Sequence, residues 1–181
     1  MPQIVVIRHA EAVANAKGIL MGCSFDSPLS ERGQAAARAK GEKLCQGLIK
    51  PQKIYTSELT RAKQTAQIIR GVLGEDVEIV ELAGLNERSF GEYEGQPYRF
   101  VLEAFEKNGD NPPTIEPVAE FVERVLKTWE TIKQEAKENT FVVTHSNPLA
   151  VIRCALYHPD KLQRFWDYED DEHLEGLTYS Y

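Results

Sequence analysis

Two of the chain's four histidines and two of its arginines stand where short β-branched runs give out. Gln3-Ile4-Val5-Val6-Ile7 runs into Arg8 and His9, and Phe141-Val142-Val143-Thr144 runs into His145. Lys53-Ile54-Tyr55-Thr56 leads through Ser57 to Arg61. Each residue alone has an ordinary reading: a histidine after a strand usually caps or faces solvent, and an arginine pairs with a carboxylate. Together, two imidazoles, two guanidiniums and a helix N-terminus make a pocket for a doubly charged anion, because the guanidinium fork matches phosphate oxygens. A histidine nucleophile also needs a proton donor for the leaving oxygen. Glu81, Glu87, Glu92 and Glu94 are the candidates, and composition does not choose among them.

Other phosphate chemistries have signatures that this chain lacks. It contains no G-x-x-x-x-G-K-[ST] loop for a nucleotide. A cysteine-dependent phosphatase loop needs arginine six positions after its cysteine. Leu29, Pro51 and Asp160 occupy those positions after Cys23, Cys45 and Cys154. No D-x-D strand end offers an aspartyl nucleophile, and no G-x-S-x-G elbow is present. A metal held by His9 and His145 would sit beside two arginines that repel a cation, so no metal ligands are expected.

The elements that must position these groups follow from periodicity. Ser30 reads as the N-cap of a helix to about Leu48, with Ala37, Gly41, Leu44 and Leu48 on one face. Ser57 reads as the cap of the next helix, where Ala62, Ala66, Ile69 and Leu73 recur at helical spacing. Val77 to Val80 reads as a third strand, and the stretch from Ala83 to Glu116 is irregular apart from a helical segment at Tyr98 to Lys107. Pro117 opens a helix with Val118, Phe121, Val122, Val125, Trp129 and Ile132 along one side. Pro148 reads as the start of a helix to about Leu156, Asp167 to Glu175 as a solvated loop, and Leu177 to Ser180 as an edge strand. Strands alternating with helices predict an α/β fold. It is a single-domain three-layer sandwich over residues 1–181, with a mostly parallel sheet and helices on both faces. In such sheets ligands collect at the carboxyl ends of the strands, where the histidines and arginines fall.

Composition narrows the partners. The chain has 181 residues, 42% hydrophobic and 27% charged, enough for one packed domain. Twenty-eight acids against 21 bases give a formal charge of −7, which repels nucleic acid and anionic lipid. No run approaches the roughly 18 apolar residues of a membrane helix. Arg8, His9 and Glu11 interrupt the apolar N-terminal run, so no signal peptide is expected. Three cysteines without C-x-x-C spacing suggest a reduced, cytoplasmic protein.

With these residues in view, the chain resembles the histidine phosphatase superfamily, also called phosphoglycerate mutase-like. The resemblance begins at Arg8-His9-Ala10-Glu11 with Asn15 and continues through Gly22 and Asp26-Ser27-Pro28-Leu29-Ser30-Glu31-Arg32-Gly33. It resumes at Tyr55-Thr56-Ser57-Glu58-Leu59-Thr60-Arg61-Ala62-Lys63-Gln64-Thr65-Ala66. The acid-bearing segment is Leu85-Asn86-Glu87-Arg88-Ser89-Phe90-Gly91 through Glu94-Gly95, and Val142-Val143-Thr144-His145 brings the second histidine. The blocks occur in family order and cover most of residues 3–156.

The resemblance implies that His9 attacks phosphorus and carries a phosphohistidine. It implies that Arg8, Asn15, Arg61 and His145 hold the phosphoryl oxygens, with the loop at Ser146 turning an amide towards phosphate. Glu87 becomes the general acid and then the base for water. No cofactor or metal is implied, and the partner is a small phosphorylated metabolite. Ala10 and Ser146 replace the family's usual glycines, and Tyr93 stands where tryptophan is commoner. If position 146 needs positive φ, Ser146 carries strain. A cofactor-dependent phosphoglycerate mutase shares the phosphohistidine step and differs in the acceptor. Family mutases are longer and close over substrate with insertions, whereas this chain is short, with residues 83–116 as its one sizeable candidate lid and specificity insertion, and the more open pocket favours water as acceptor. A phosphate- or phosphopeptide-binding relative without turnover would not need Glu87. Arg88, Tyr93, Tyr98, Arg99 and Phe100 are placed to flank the leaving group. The charge of −7 predicts weaker use of highly anionic polyphosphates than of simple monoesters.

Overall fold

Strand β1 (Gln3–Arg8) alternates its side chains between two hydrophobic clusters, and this alternation organises the molecule. In the computed structural model, described for residues 2–46, 50–74, 76–101, 103, 114–168 and 176–180, both clusters are buried against helices. Ile4 and Val6 face one side and Val5 and Ile7 the other, the period of two that a strand imposes. β1 is followed by a short helix α1 (Val13–Ala16), helix α2 (Glu31–Gln46) and strand β2 (Lys53–Thr56). Helix α3 (Thr60–Leu73) and strand β3 (Glu78–Glu81) come next. Helix α4 (Val118–Glu135), strand β4 (Thr140–Thr144), helix α5 (Ser146–Tyr157) and strand β5 (Gly176–Ser180) complete the order.

The five strands form one sheet in the order β3-β2-β4-β1-β5. β1 and β2 both run parallel to β4, with Val6 and Tyr55 opposite Val142 from its two sides. β3 is parallel to β2, and β5 closes the other edge antiparallel to β1, as expected for residues 177–180. β4 is buried at all five positions, so it reads as a continuous apolar run instead of an alternating one. Helices α2 and α3 pack Ala37, Ala62, Ala66 and Ile69 on one face. Helices α4 and α5 pack Phe121, Val125, Trp129 and Ile152 on the other. The three-layer α/β architecture is as expected.

Most helix boundaries follow their caps. Ser30 Oγ accepts the Gly33 N–H at 2.9 Å, which starts α2 where expected. The helix is described to Gln46, and Leu48 lies outside the described residues. Ser57 does not cap α3: Leu59 is its N-cap residue, and the Ser57 hydroxyl is drawn to a histidine. The third strand sits one residue later than expected. Helix α5 begins at Ser146, two residues before Pro148, with His145 as its N-cap residue. Proline is tolerated there because the first-turn N–H groups have no intrahelical partner. Residues 98–101 are helical, and residues 104–107 of the expected segment lie outside the described residues. Pro159–Tyr168 forms a kinked 3-10 stretch that includes Asp167, the first residue of the expected acidic loop, and residues 169–175 are outside the described residues.

Candidate active site

Four groups named from the sequence meet at the carboxyl ends of the strands. Arg8, His9, Arg61 and Glu87 line one cavity of about 690 Å³, together with Asn15, Ser146 and Asn147. His9, Arg61, Glu87 and His145 are 3%, 1%, 6% and 0% exposed. Burial of this many polar groups demands partners, and the partners fix their chemistry.

His9 leaves β1 on a backbone bond to the Thr144 carbonyl of β4. Its Nδ1 lies 2.7 Å from the Ala10 carbonyl. Only an N–H satisfies a carbonyl, so the proton sits on Nδ1 and the lone pair on Nε2. Arg61 Nε meets that Nε2 at 3.3 Å. The rest of the Arg61 guanidinium is fixed by Asp26 Oδ1 at 2.6 Å and the Gly22 carbonyl at 3.0 Å. Burial works to raise the Asp26 carboxyl, but Arg61 and the hydrogen bonds from Arg61 and Thr60 outweigh it and hold it below its usual value. Gly22 has no room for a larger residue, since a Cβ there would strike the Glu94 carboxylate. Thr65 ties the two elements together: its Oγ1 accepts the Ala10 N–H at 3.0 Å and donates to the Arg61 carbonyl at 2.8 Å.

His145 stands beside His9, with ring centroids 5.0 Å apart. Its Nε2 is 2.7 Å from Ser57 Oγ, which also accepts the Leu59 N–H at 3.3 Å. Burial first, then the charges of Arg61, His9, Arg8 and Arg124, hold its pKa well below 6.5, so the ring is neutral. With Ser57 donating to Nε2, the proton lies on Nδ1, a buried atom with no hydrogen-bond partner among the described residues. A buried N–H of this kind is completed by a bound acceptor.

The four candidate acids separate clearly. Glu81 pairs with Lys63 at 3.3 Å near the surface, and Glu92 accepts from Thr114. Glu94 is a brace: its two carboxylate oxygens accept the amides of Ser24, Phe25 and Phe90 and so join two loops of the site. Glu87 alone of the four lines the cavity. Burial raises its carboxyl above the ordinary value, against the opposing pull of the Arg88 amide, Arg61, the Asn147 side chain and Arg8. A carboxyl so placed keeps its proton to a higher pH than one in water.

Asn15 accepts the Ala12 N–H on Oδ1 at 3.0 Å, so the group it can turn towards the cavity as a donor is Nδ2. Ser146 is the first residue of α5. Its backbone is helical, so no left-handed strain arises there, and the first-turn amides form the positive end of a helix dipole, which suits an anion. Sequence reasoning missed the partners Asp26, Ser57, Asn147 and Arg124. Arg124 on α4 donates to the carbonyls of Asn86 and Glu87 at 2.9 and 3.0 Å and so clamps the acid's own backbone. Asp26 and Ser57 lie inside recognisable blocks, whereas the spacing of Asn147 and Arg124 gave no signal.

The model of the histidine phosphatase superfamily, branch 1, matches residues 4–173. The chain belongs to that superfamily. It is therefore an enzyme of the phosphatase class. Among its relatives is the Hydrogenobacter thermophilus protein named "Putative phosphoserine phosphatase 2", 34% identical over 97% of this chain and 91% of the relative. A 2,3-bisphosphoglycerate-dependent phosphoglycerate mutase of Bartonella tribocorum is 41% identical over 51% of the chain, which spans only 45% of that mutase. The solved structure of Bacillus stearothermophilus YhfR superposes with a TM-score of 0.81 at 25% identity, over 97% of this chain and 88% of that one. Among the described residues no helix is long and apolar enough to cross a membrane, and no cluster of metal-ligating side chains occurs.

Proposed function

We propose that the chain is a metal-independent phosphomonoesterase that works through a phosphohistidine on His9 and hydrolyses a small phosphorylated metabolite. The observation that carries this reading is a nucleophile and a candidate acid in one cavity, the imidazole with its lone pair on Nε2 and the carboxyl pushed by burial towards its protonated form. His9 Nε2 offers its lone pair because Nδ1–H is bound to the Ala10 carbonyl, which also supports the positive charge the ring gains on attack. Burial raises the Glu87 carboxyl above its ordinary value, the direction that a proton donor to the leaving oxygen needs.

In the first step the Nε2–P bond forms as the ester P–O bond breaks in line, and the Glu87 proton passes to the departing oxygen. In the second, the Glu87 carboxylate takes a proton from water as its oxygen attacks phosphorus and the Nε2–P bond breaks. Inorganic phosphate leaves, and Glu87 is protonated again. Arg8, Arg61, Asn15, His145 Nδ1–H and the amides at Ser146 hold the equatorial oxygens throughout. Each fixed donor of this kind is worth about 10²- to 10³-fold in rate.

The segment at residues 83–116 carries Glu87 and supplies Phe90, Tyr98 and Val101 to the cavity wall, which supports its role as the specificity insertion. A mutase that retains the phosphorylated intermediate would share the first step, and the mutase relative gives that reading its support. Hydrolysis of para-nitrophenyl phosphate in EDTA, wild type beside His9→Ala, tests the proposal. Turnover in EDTA that disappears in the variant is expected. Turnover that persists in His9→Ala, or that stops with EDTA, would sink it.

A further inference from the structure

The cavity has two chemically different parts, and the second one speaks to the leaving group. Beyond the phosphate cradle its wall is made by Leu20, Phe90, Tyr98, Val101, Phe165 and Trp166. At about 690 Å³ it falls within the roughly 300–1,000 Å³ of small-molecule sites and has room for a ring system beyond the phosphoryl group. Part of that wall is set before a ligand arrives. Phe165 is fully buried, with its ring 5.3 Å from Phe121 on α4 and 5.3 Å from Trp166 in an edge contact. A preset aromatic wall loses little side-chain entropy when it binds.

Cations are scarce in the same place. Among the described residues the cavity is lined by three, Arg8, Arg61 and Arg88, and no lysine. Arg8 and Arg61 are committed to the transferred phosphoryl group. Arg88 is buried, its Nε donates to the Glu116 carbonyl at 2.9 Å, and the charges of Glu116 and Glu87 lie against it. A second phosphate, or the ammonium and carboxylate of an amino acid, would leave water for a wall where, among the described residues, the one cation beyond the phosphate cradle is Arg88, already set against Glu116 and Glu87, a costly transfer.

Resting on the phosphatase reading above, we infer that the substrate carries a single phosphate on an uncharged, apolar, ring-bearing leaving group, selected by Phe90, Tyr98, Phe165 and Trp166. Burying a ring system against this wall gives about a 10- to 100-fold preference over a charged leaving group of similar length.

The test separates binding from turnover. The unreactive probes 1-naphthylmethylphosphonate, methylphosphonate and 2-amino-4-phosphonobutanoate are titrated by calorimetry into the wild type, Trp166→Ala and Trp166→Phe, each checked for folding by thermal melting. In parallel, kcat/KM is measured for 2-(1-naphthyl)ethyl phosphate and O-phosphoserine, both alkyl esters, so that a better leaving group does not imitate a better fit. The naphthyl probe is expected to bind at least about tenfold tighter than either other phosphonate. That preference should shrink in Trp166→Ala and return in Trp166→Phe, and kcat/KM should favour the naphthyl ester. Equal or weaker binding of the naphthyl probe overturns the inference while leaving the phosphatase reading intact. A binding preference of the expected kind with neither ester hydrolysed sinks the phosphatase reading and keeps the assignment of the apolar wall.

Discussion

At Glu87 and His145, burial does opposite things to an acid and to a base, and both outcomes suit phosphoryl transfer. Glu87 keeps its proton longer than a solvated carboxyl, so the protonated fraction that drives the first step falls only as pH rises through its elevated pKa. Glu87→Gln should therefore remove the alkaline limb of the kcat/KM profile and slow alkyl phosphate hydrolysis by about 10²- to 10⁴-fold. The loss should be much smaller for para-nitrophenyl phosphate, whose leaving group needs no proton. An equal loss on both esters would remove Glu87 from the acid role. His145 carries the opposite sign. Its folded pKa lies well below 6.5, so it contributes stability above the unfolded value that is lost as pH falls through the folded one. Urea midpoints should drop below about pH 6.5, with His145 adding up to about 1.4 kcal/mol per pH unit to the slope. His145→Asn should flatten that slope, and an unchanged slope would place the acid sensitivity elsewhere. His9, Arg8, Arg61 and His145 were legible in the sequence because each stands at or shortly beyond the end of a strand that periodicity reveals. The choice of Glu87 over Glu81, Glu92 and Glu94 came from resemblance, since only the fold distinguishes a buried acid from a brace or a surface pair.

The elements matter here mainly as clamps. Glu87 stands two residues beyond a short 3-10 helix (Ala83–Leu85) that has little hold of its own. Thr144 at the end of β4 donates to the Leu85 carbonyl at 2.8 Å, and Arg124 from the middle of α4 holds the next two carbonyls. Glu116 in turn grips Arg124 through two contacts of 2.6 and 2.9 Å. Arg124→Met should therefore lower kcat on alkyl phosphates by about tenfold or more, with a smaller effect on para-nitrophenyl phosphate, because the displaced group is the acid. A uniform loss on both would indicate general loosening instead. Contacts of this kind join residues far apart in sequence, such as Arg124 with Glu87, so no local pattern announces them. The two misread helix starts have the same origin. Ser57 has the side chain of a cap, but His145 competes for its hydroxyl. Pro148 looks like a helix opener, yet two residues before it are already helical.

At the scale of the molecule, one sheet buried on both faces holds the strand exits in place. The α4 side of the core centres on Trp129, 1% exposed, whose ring meets Tyr179 of the antiparallel edge strand at 5.8 Å. Trp129→Ala should cost about 3–5 kcal/mol, read as a shift of the urea midpoint, and a loss below about 1 kcal/mol would mean that the core collapses around the gap. The architecture was legible because strand and helix periods alternate cleanly along the chain. The edges of the irregular segment were less so, since its 3-10 turns have no period to read. The proposed mechanism depends on one covalent bond. Rapid-quench mixing with a phosphomonoester, followed by peptide mass spectrometry under alkaline conditions, reads it directly. One acid-labile phosphoryl group on His9, formed and consumed at rates compatible with kcat and absent in His9→Ala, is the predicted result. Turnover of wild-type enzyme with no phosphoryl group on His9, or with one on another residue, would contradict the mechanism outright.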